Sequence, residues 1–387
     1  MKRFGKTSIP VSAEYELADI RVERFRLVRT RPPLVFLQGA AVHIGWQNAA
    51  ASLPELIFRA VDAALTDSEL SIHEIDSVVL SAHDIVDGRS LSSMVTAPAA
   101  GAYLKDEIRL AEDGLAAMSL ASARIEAGES RFSIVAAWGR ASEGDYVHTS
   151  HFAFDPFLEQ PFGLDEFSLS AMRLSEWIRE HGEEHEAHQQ AISARAERAR
   201  RNCRSVLVGV RPPVDYPLES GDAPRFADIV VVTVLGGRPR AVHIAGIGHS
   251  ADFANLGERR LSDMRAVRES VSRACQVAQS DVRQLDVLQL AGPTLPDEAL
   301  ALESIGVAAP GEAFAAYAAM GQVNPSGGSE SGWCFPTNGL LNVVEAYYQL
   351  TQQAGAGQVA GSPRRALATG VSPLGGQVAH AAVLAAE

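Results

Sequence analysis

Two adjacent carboxylates, Glu112 and Asp113, stand just before "GLAAMSLASARIEAG", an apolar pattern that predicts the start of a helix. In a half-buried pocket a carboxyl can have its pKa raised into the range useful for general acid or base work. Acidic residues at a helix start also cap its amides and complement its dipole. A catalytic and a capping reading both stand. A second candidate is Cys334, within "QVNPSGGSESGWCFPTNGLL" and close to a helix start at Asn338. A thiol near a helix N-terminus can serve as a nucleophile, whereas a small buried residue beside Trp333 and Phe335 would only pack. In the same stretch Asn324, Ser326, Gly327 and Gly328 predict a backbone turn beside a ligand, where glycine allows close approach and the amides can donate.

The elements that must position these groups recur in order. "LVFLQG" (34–39) is echoed by "VHIAG" (242–246), and each reads as a buried strand. Each precedes an amphipathic helix, with Leu53, Leu56, Ile57, Ala60 and Ala64 in the first and Met264, Val267, Val271, Ala274 and Ala278 in the second. "IDSVVLSA" and "LDVLQLAG" follow at nearly equal spacing, then "DGLAAMSL" and "NGLLNVVE", each opening a helix with Asx-Gly-Leu. "FSIVAAW" and "ADIVVVTVL" close the first half, "ALATGV" and "VAHAAVLAA" the second. Alternating strands and helices in two copies predict a duplicated α/β fold. Its parts are an N-terminal extension (1–33), a first half (34–235) and a second half (236–387). An excursion over about 139–225 reads as a cap over the joint. It carries "HTSHF", whose His148 and His151 either approach the cleft or serve the structure. His181, His185 and His188 lie at helical spacing, but Glu between them and no HExxH pattern favour a solvated helix over a metal face. Five arginines in "ARAERARRNCR" form either a solvated face or a phosphate-contacting patch.

Composition narrows the function. The chain has 387 residues, 47% hydrophobic and 21% charged, which suits two core-bearing units. Three distant cysteines suggest neither a disulfide framework nor a thiolate metal site, and a cytoplasmic location fits them. A net charge of −13 argues against a nucleic-acid partner. No run is long and apolar enough for a membrane span.

Together the duplicated halves, the inserted region, the Gly-Leu helix starts and "NPSGG" resemble the thiolase superfamily, most of all its lipid-transfer-protein and sterol-carrier thiolase branch. "RPRAVHIAGIGHSADFANLGER" and "AHQQAISARAERARRNCRS" look like that branch's connector strand and loop-domain helix. The resemblance runs from about Leu34 to the C-terminus. It implies two βαβαβ-type halves with mixed sheets, layered αβαβα, and four loops meeting at the junction of the halves.

The family's reactive groups are replaced. Its nucleophilic cysteine falls on Ala111, followed by Glu112, Asp113 and Gly114. Its Asn-Glu-Ala-Phe or His-Asp-Cys-Phe loop falls on "AGPT" (291–294). Its Gly-His-Pro histidine falls on Cys334 counted from Asn324, or on Phe335 when the proline is aligned. Its Cys-x-Gly cysteine falls on Ser372 when the motif is fixed on Gly375, Gly376 and Gln377. The resemblance then implies a coenzyme A or carrier-bound acyl thioester as substrate, with no bound cofactor. One reading is an aldolase- or acyltransferase-type enzyme of lipid metabolism in which Glu112 and Asp113 face Cys334 and Ser372 across the cleft. The alternative is a pseudoenzyme, an inert structural or regulatory partner of a competent subunit. A homodimer, or a heteromer with a thiolase-like or zinc-ribbon/OB-fold subunit, is implied. The small-residue, apolar stretch at 88–110 would suit such an interface or a buried linker, and Asp84, Asp87 and Arg89 could reach the dimer seam or the pocket.

Overall fold

The computed structural model describes residues 34–47, 51–84, 92–205, 207, 209–372 and 375–386. The extension at 1–33, and Asp87 and Arg89, lie outside the described residues. The first half contributes β1 (Phe36–Gly45), α1 (Leu53–Ser68), β2 (Ser77–Ser81), α2 (Ser92–Thr96), β3 (Asp106–Leu110), α3 (Gly114–Glu126) and β4 (Phe132–Arg140). Next come α4 (Tyr146–His151), α5 (Glu166–His181) and α6 (His185–Arg201), before the chain returns to the sheet in β5 (Asp228–Gly236). The second half contributes β6 (Val242–Ala251), α7 (Arg265–Ala278), β7 (Val287–Gln289), α8 (Leu295–Ser304), α9 (Ala313–Ala319), α10 (Asn338–Leu350), β8 (Arg365–Val371) and β9 (Val378–Ala386).

The strands are ordered β3-β2-β4-β5-β1-β6-β9-β8-β7, which makes two wings of matching order joined at β1 and β6. That join is a single residue pair, Phe36 with His243. Pairing is parallel for β2 with β3 and β4 and for β7 with β8, and antiparallel elsewhere. Helices cover both faces. α1 packs on β1 and β5, α7 packs on β6 and β9, and α3 and α10 pack on each other between the wings. The sequence shows why. β5 has all nine positions buried and is a nearly continuous Ile/Val run. α1 starts with a Ser52–Glu55 capping box and a proline, and buries Leu53, Leu56, Ile57, Ala60 and Ala64 on one stripe. α10 is buried on almost every side, as a helix between two wings must be.

The two echoed glycines share one physical cause. Each sits where its strand slips register, Gly39 in β1 and Gly246 in β6. A Cβ on Gly39 would lie 2.6 Å from Ser68 N and 2.8 Å from Ala64 O of α1. A Cβ on Gly246 would lie 2.7 Å from Ala278 N and closer still to Ala274 O of α7. The helix backbone rests on the strand backbone at both places, and only glycine leaves room.

The expectations for α6 need correction. The arginine helix is neither a solvated face nor a phosphate patch throughout. Arg195 is buried and donates to the carbonyls of Gly221, Asp222 and Ala223, while Arg198 donates to those of Tyr317, Ala318, Met320 and Val323. These guanidiniums tie α6 to the segment before β5 and to α9 with the loop after it. His188 is buried too, with Nε2 2.7 Å from Asp222 Oδ1. Among the described residues no helix is long and apolar enough to cross a membrane.

Gly246→Ala should lower stability by about 1–3 kcal/mol through overpacking. Gly237→Ala, where the added carbon meets nothing within 4 Å, should stay within about 0.5 kcal/mol of the parent. Paired chemical-denaturation curves check both values.

Candidate functional site

The junction of the wings is built around Asp113. Its Oδ1 accepts from Leu115 N at 2.8 Å and so caps α3, while its Oδ2 accepts from Gly339 N at 2.9 Å, in the first turn of α10. One carboxyl therefore serves the starts of two helices from different halves. A Cβ on Gly339 or on Gly370 of β8 would fall on Asp113 Oδ1. Burial pushes this carboxyl up to about 8, against the downward pull of the Gly339 and Leu115 amides.

Glu112 is brought beside Ser372. The Ser372 hydroxyl donates to its carboxylate, which also accepts from Asp113 N at 3.0 Å. Burial raises the Glu112 pKa above the ordinary carboxylate value, and these two hydrogen bonds oppose the rise. Ser81 Oγ donates to Glu112 O at 2.5 Å, fixing the turn from below. Ala111 is exposed, and its carbonyl lies 2.9 Å from His83 Nε2. Asp84 pairs with Arg109 of β3 at 2.7 Å.

Cys334 has no exposed surface. Its Sγ lies 2.9 Å from the Tyr146 hydroxyl of α4, and a Cβ on Gly139 would collide with it. Tyr146, Phe226, Trp333 and Phe335 form an aromatic cluster around it. The thiol sits in a packed interior.

The NPSGG turn wraps a second buried carboxylate, Glu298 of α8. Glu298 accepts from Asn324 Nδ2 at 2.8 Å, from Tyr317 OH at 2.6 Å and from both the amide and the hydroxyl of Ser329. Arg195 Nη1 lies 3.8 Å away. Asn324 also exchanges hydrogen bonds with the Leu290 backbone, and Ser326 Oγ donates to Gln289 Oε1. Gly327 rests on Ala199 of α6, and a Cβ on Gly328 would strike Glu298. The polar atoms of Asn324 and Ser326 are thus engaged inside the protein. His148 lies exposed on α4, stacked against His151 and edge-on to Phe152.

Gly375 and Gly376 lead to groups that the motif reading did not single out. Both have positive φ, 78° and 56°. Gly375 N donates to Glu166 Oε2 at 3.1 Å, and Gly376 lines a chamber with Glu166, Arg173, Arg259, Asp297 and the 291–293 loop. The chamber has a volume of about 30 Å³. That is room for a group of a few heavy atoms, such as a carboxylate. Glu166 and Arg173 are 2% and 6% exposed. Burial pushes the Glu166 carboxyl up to about 8, opposed by Arg173 and the Gly375 amide. The available signal was spacing: Glu166, Ser170 and Arg173 share the buried face of α5 with Leu169, Leu174 and Trp177. Ser170 and Arg173 both bond Asp297, which accounts for two of these polar residues.

Residues 248–385 match the family model described as thiolase C-terminal domain-like. No curated protein matches the chain. Among solved structures, the Ltp2-ChsH2(DUF35) aldolase is similar with a TM-score of 0.76 at 16% identity, covering 92% of this chain and 98% of that one. The fold is thiolase-like. Human mitochondrial 3-ketoacyl-CoA thiolase in complex with CoA gives a TM-score of 0.68 at 13% identity, with the same coverage of each chain. In this thiolase-like fold, Asp113 and Glu112 stand at the start of α3, and Ser372 follows β8.

Asp113→Ala should lower stability by about 2–4 kcal/mol, from the lost cap and an unsatisfied Gly339 amide, as read from urea denaturation. Iodoacetamide on the native protein should label exposed Cys203 and leave Cys334 unlabelled until denaturant is added. Mass spectrometry of the cysteine peptides distinguishes them.

Proposed function

We propose that this protein is a thiolase-superfamily member of the lipid-transfer-protein kind that binds an acyl thioester, carried by coenzyme A or by a carrier protein. In this reading it works on a carbon–carbon bond without an acyl-enzyme, alone or as a subunit. The observation that carries the reading is the Glu112–Ser372 pair at the junction of α3 and β8. Ala111 has no nucleophile to offer, whereas a half-buried carboxyl with a raised pKa is suited to proton transfer. Glu112 takes the proton of a β-hydroxyl, the Cα–Cβ bond breaks, a carbonyl product leaves, and the thioester enolate recovers the proton. Likeness to an aldolase and to a CoA-bound thiolase supports the substrate class. The aldolase's two-part name motivates a heteromer with a thiolase-like or zinc-ribbon/OB-fold subunit. A second reading, an inert partner subunit, draws on Asp113, Cys334 and the NPSGG side chains all being engaged within the protein.

The test incubates purified protein with β-hydroxyacyl-CoA and β-ketoacyl-CoA substrates, with and without co-purifying chains. Glu112→Gln should cut turnover by about 10²–10⁴-fold. Because the folded pKa of Glu112 is raised, its basic form fills only above the ordinary carboxylate range. Parental activity should therefore climb with pH through that raised value, and Glu112→Gln should lose the climb. Turnover unaffected by Glu112→Gln rules the residue out. Turnover that needs a second chain, yet ignores Glu112, points to the inert-partner reading.

A further inference from the structure

The chamber at Gly376 opens beside a wider groove, and the two share Arg259. Four arginines line the chamber, and three have carboxylate partners: Arg173 with Asp297, Arg260 with Glu180, and Arg265 with Glu269. Arg259 forms no ion pair among the described residues. Its Nη1 and Nη2 reach only the carbonyls of Gly375 and Ala254, at 3.5 and 3.4 Å, and its Nε is buried without a partner. Arg173, 6% exposed, also leaves a buried Nε without a partner. Two buried guanidinium N–H groups thus lack partners, one of them on a cation in no salt bridge among the described residues, which leaves hydrogen-bonding capacity at the chamber for a ligand. The groove is about 380 Å³, walled partly by Phe154, Pro156 and Leu158.

We propose that chamber and groove together form a binding site for an organic carboxylate, with the carboxylate held by Arg259 and Arg173 and its apolar body lying along Phe154, Pro156 and Leu158. A planar carboxylate matches the guanidinium fork, fits the chamber volume, and leaves the apolar remainder for the groove. This goes beyond the acyl-thioester reading and stands without it, since neither Glu112 nor Ser372 takes part.

The same geometry sets a pH response. Glu166 faces the chamber with Arg173 on its own helix, Asp165 at the helix cap, Asp297 from α8 and the Gly375 amide; Arg259 faces Arg173, Asp252, Glu159 and Glu166. With its carboxyl pushed up to about 8, Glu166 is mostly neutral at pH 7 and gains charge toward pH 9. An ionised Glu166 repels a bound carboxylate, so affinity falls over that interval.

The experiment is calorimetric titration of the full chain with hexanoate, hexanamide and inorganic phosphate. At pH 7 hexanoate should bind, with hexanamide and phosphate weaker by about tenfold or more, and Arg259→Gln should weaken hexanoate by a similar factor. Moving from pH 7 to pH 9 should weaken hexanoate on the parent and much less on Glu166→Gln. The proposal is overturned by hexanamide matching hexanoate, by phosphate matching it, or by Arg259→Gln leaving it unchanged. No heat at about 10 mM hexanoate, near the weak limit of specific binding, overturns it as well. Circular dichroism melts of both variants confirm that each is folded.

Discussion

The architecture turns on one carboxyl shared by two helices. Every helix leaves its first amides without an internal acceptor, and α3 and α10 begin at the same buried point, where water cannot serve them. Asp113 accepts from both. That forces glycine at 339 and 370, since any side chain there would occupy the carboxyl's space. It also sets the direction of Glu112, whose side chain turns toward Ser372. The junction's two carboxyl groups are thus positioned by a cap.

Around this point, packed groups and charged groups occupy separate places. Cys334 is packed among aromatic rings with its thiol against a phenol. The charged chamber, in contrast, is furnished from the inserted helices and the loop after β6, with Glu166, Arg173 and Arg259 facing one small space. A fold constrains where a cavity lies more tightly than it constrains what lines it.

Much of the scaffold was legible in the sequence because it rests on periodicity. The echo of Gly39 in Gly246 marked two equivalent register slips, and the Val-rich run of β5 announced a strand buried on both sides. β3 was missed because "DEIRL" at a sheet edge is mostly polar and has little apolar signal. The inward turn of Arg195 and Arg198 was hidden because their acceptors are backbone carbonyls far along the chain. For the site, aligning loops set Glu112 and Asp113 opposite Cys334 and Ser372; Glu112 does meet Ser372, whereas Cys334 is packed against Tyr146. The chamber was not legible, because Glu166, Arg259 and Gly376 come from three distant segments, and no short motif contains them.

The loop at 324–328 has a wider consequence. Its asparagine and its last glycine fit around the buried Glu298, while its serine bonds Gln289, so the pentapeptide reports how a neighbouring helix is anchored. A pattern search keyed to those five letters would retrieve relatives in shape, including chains with no shared reaction.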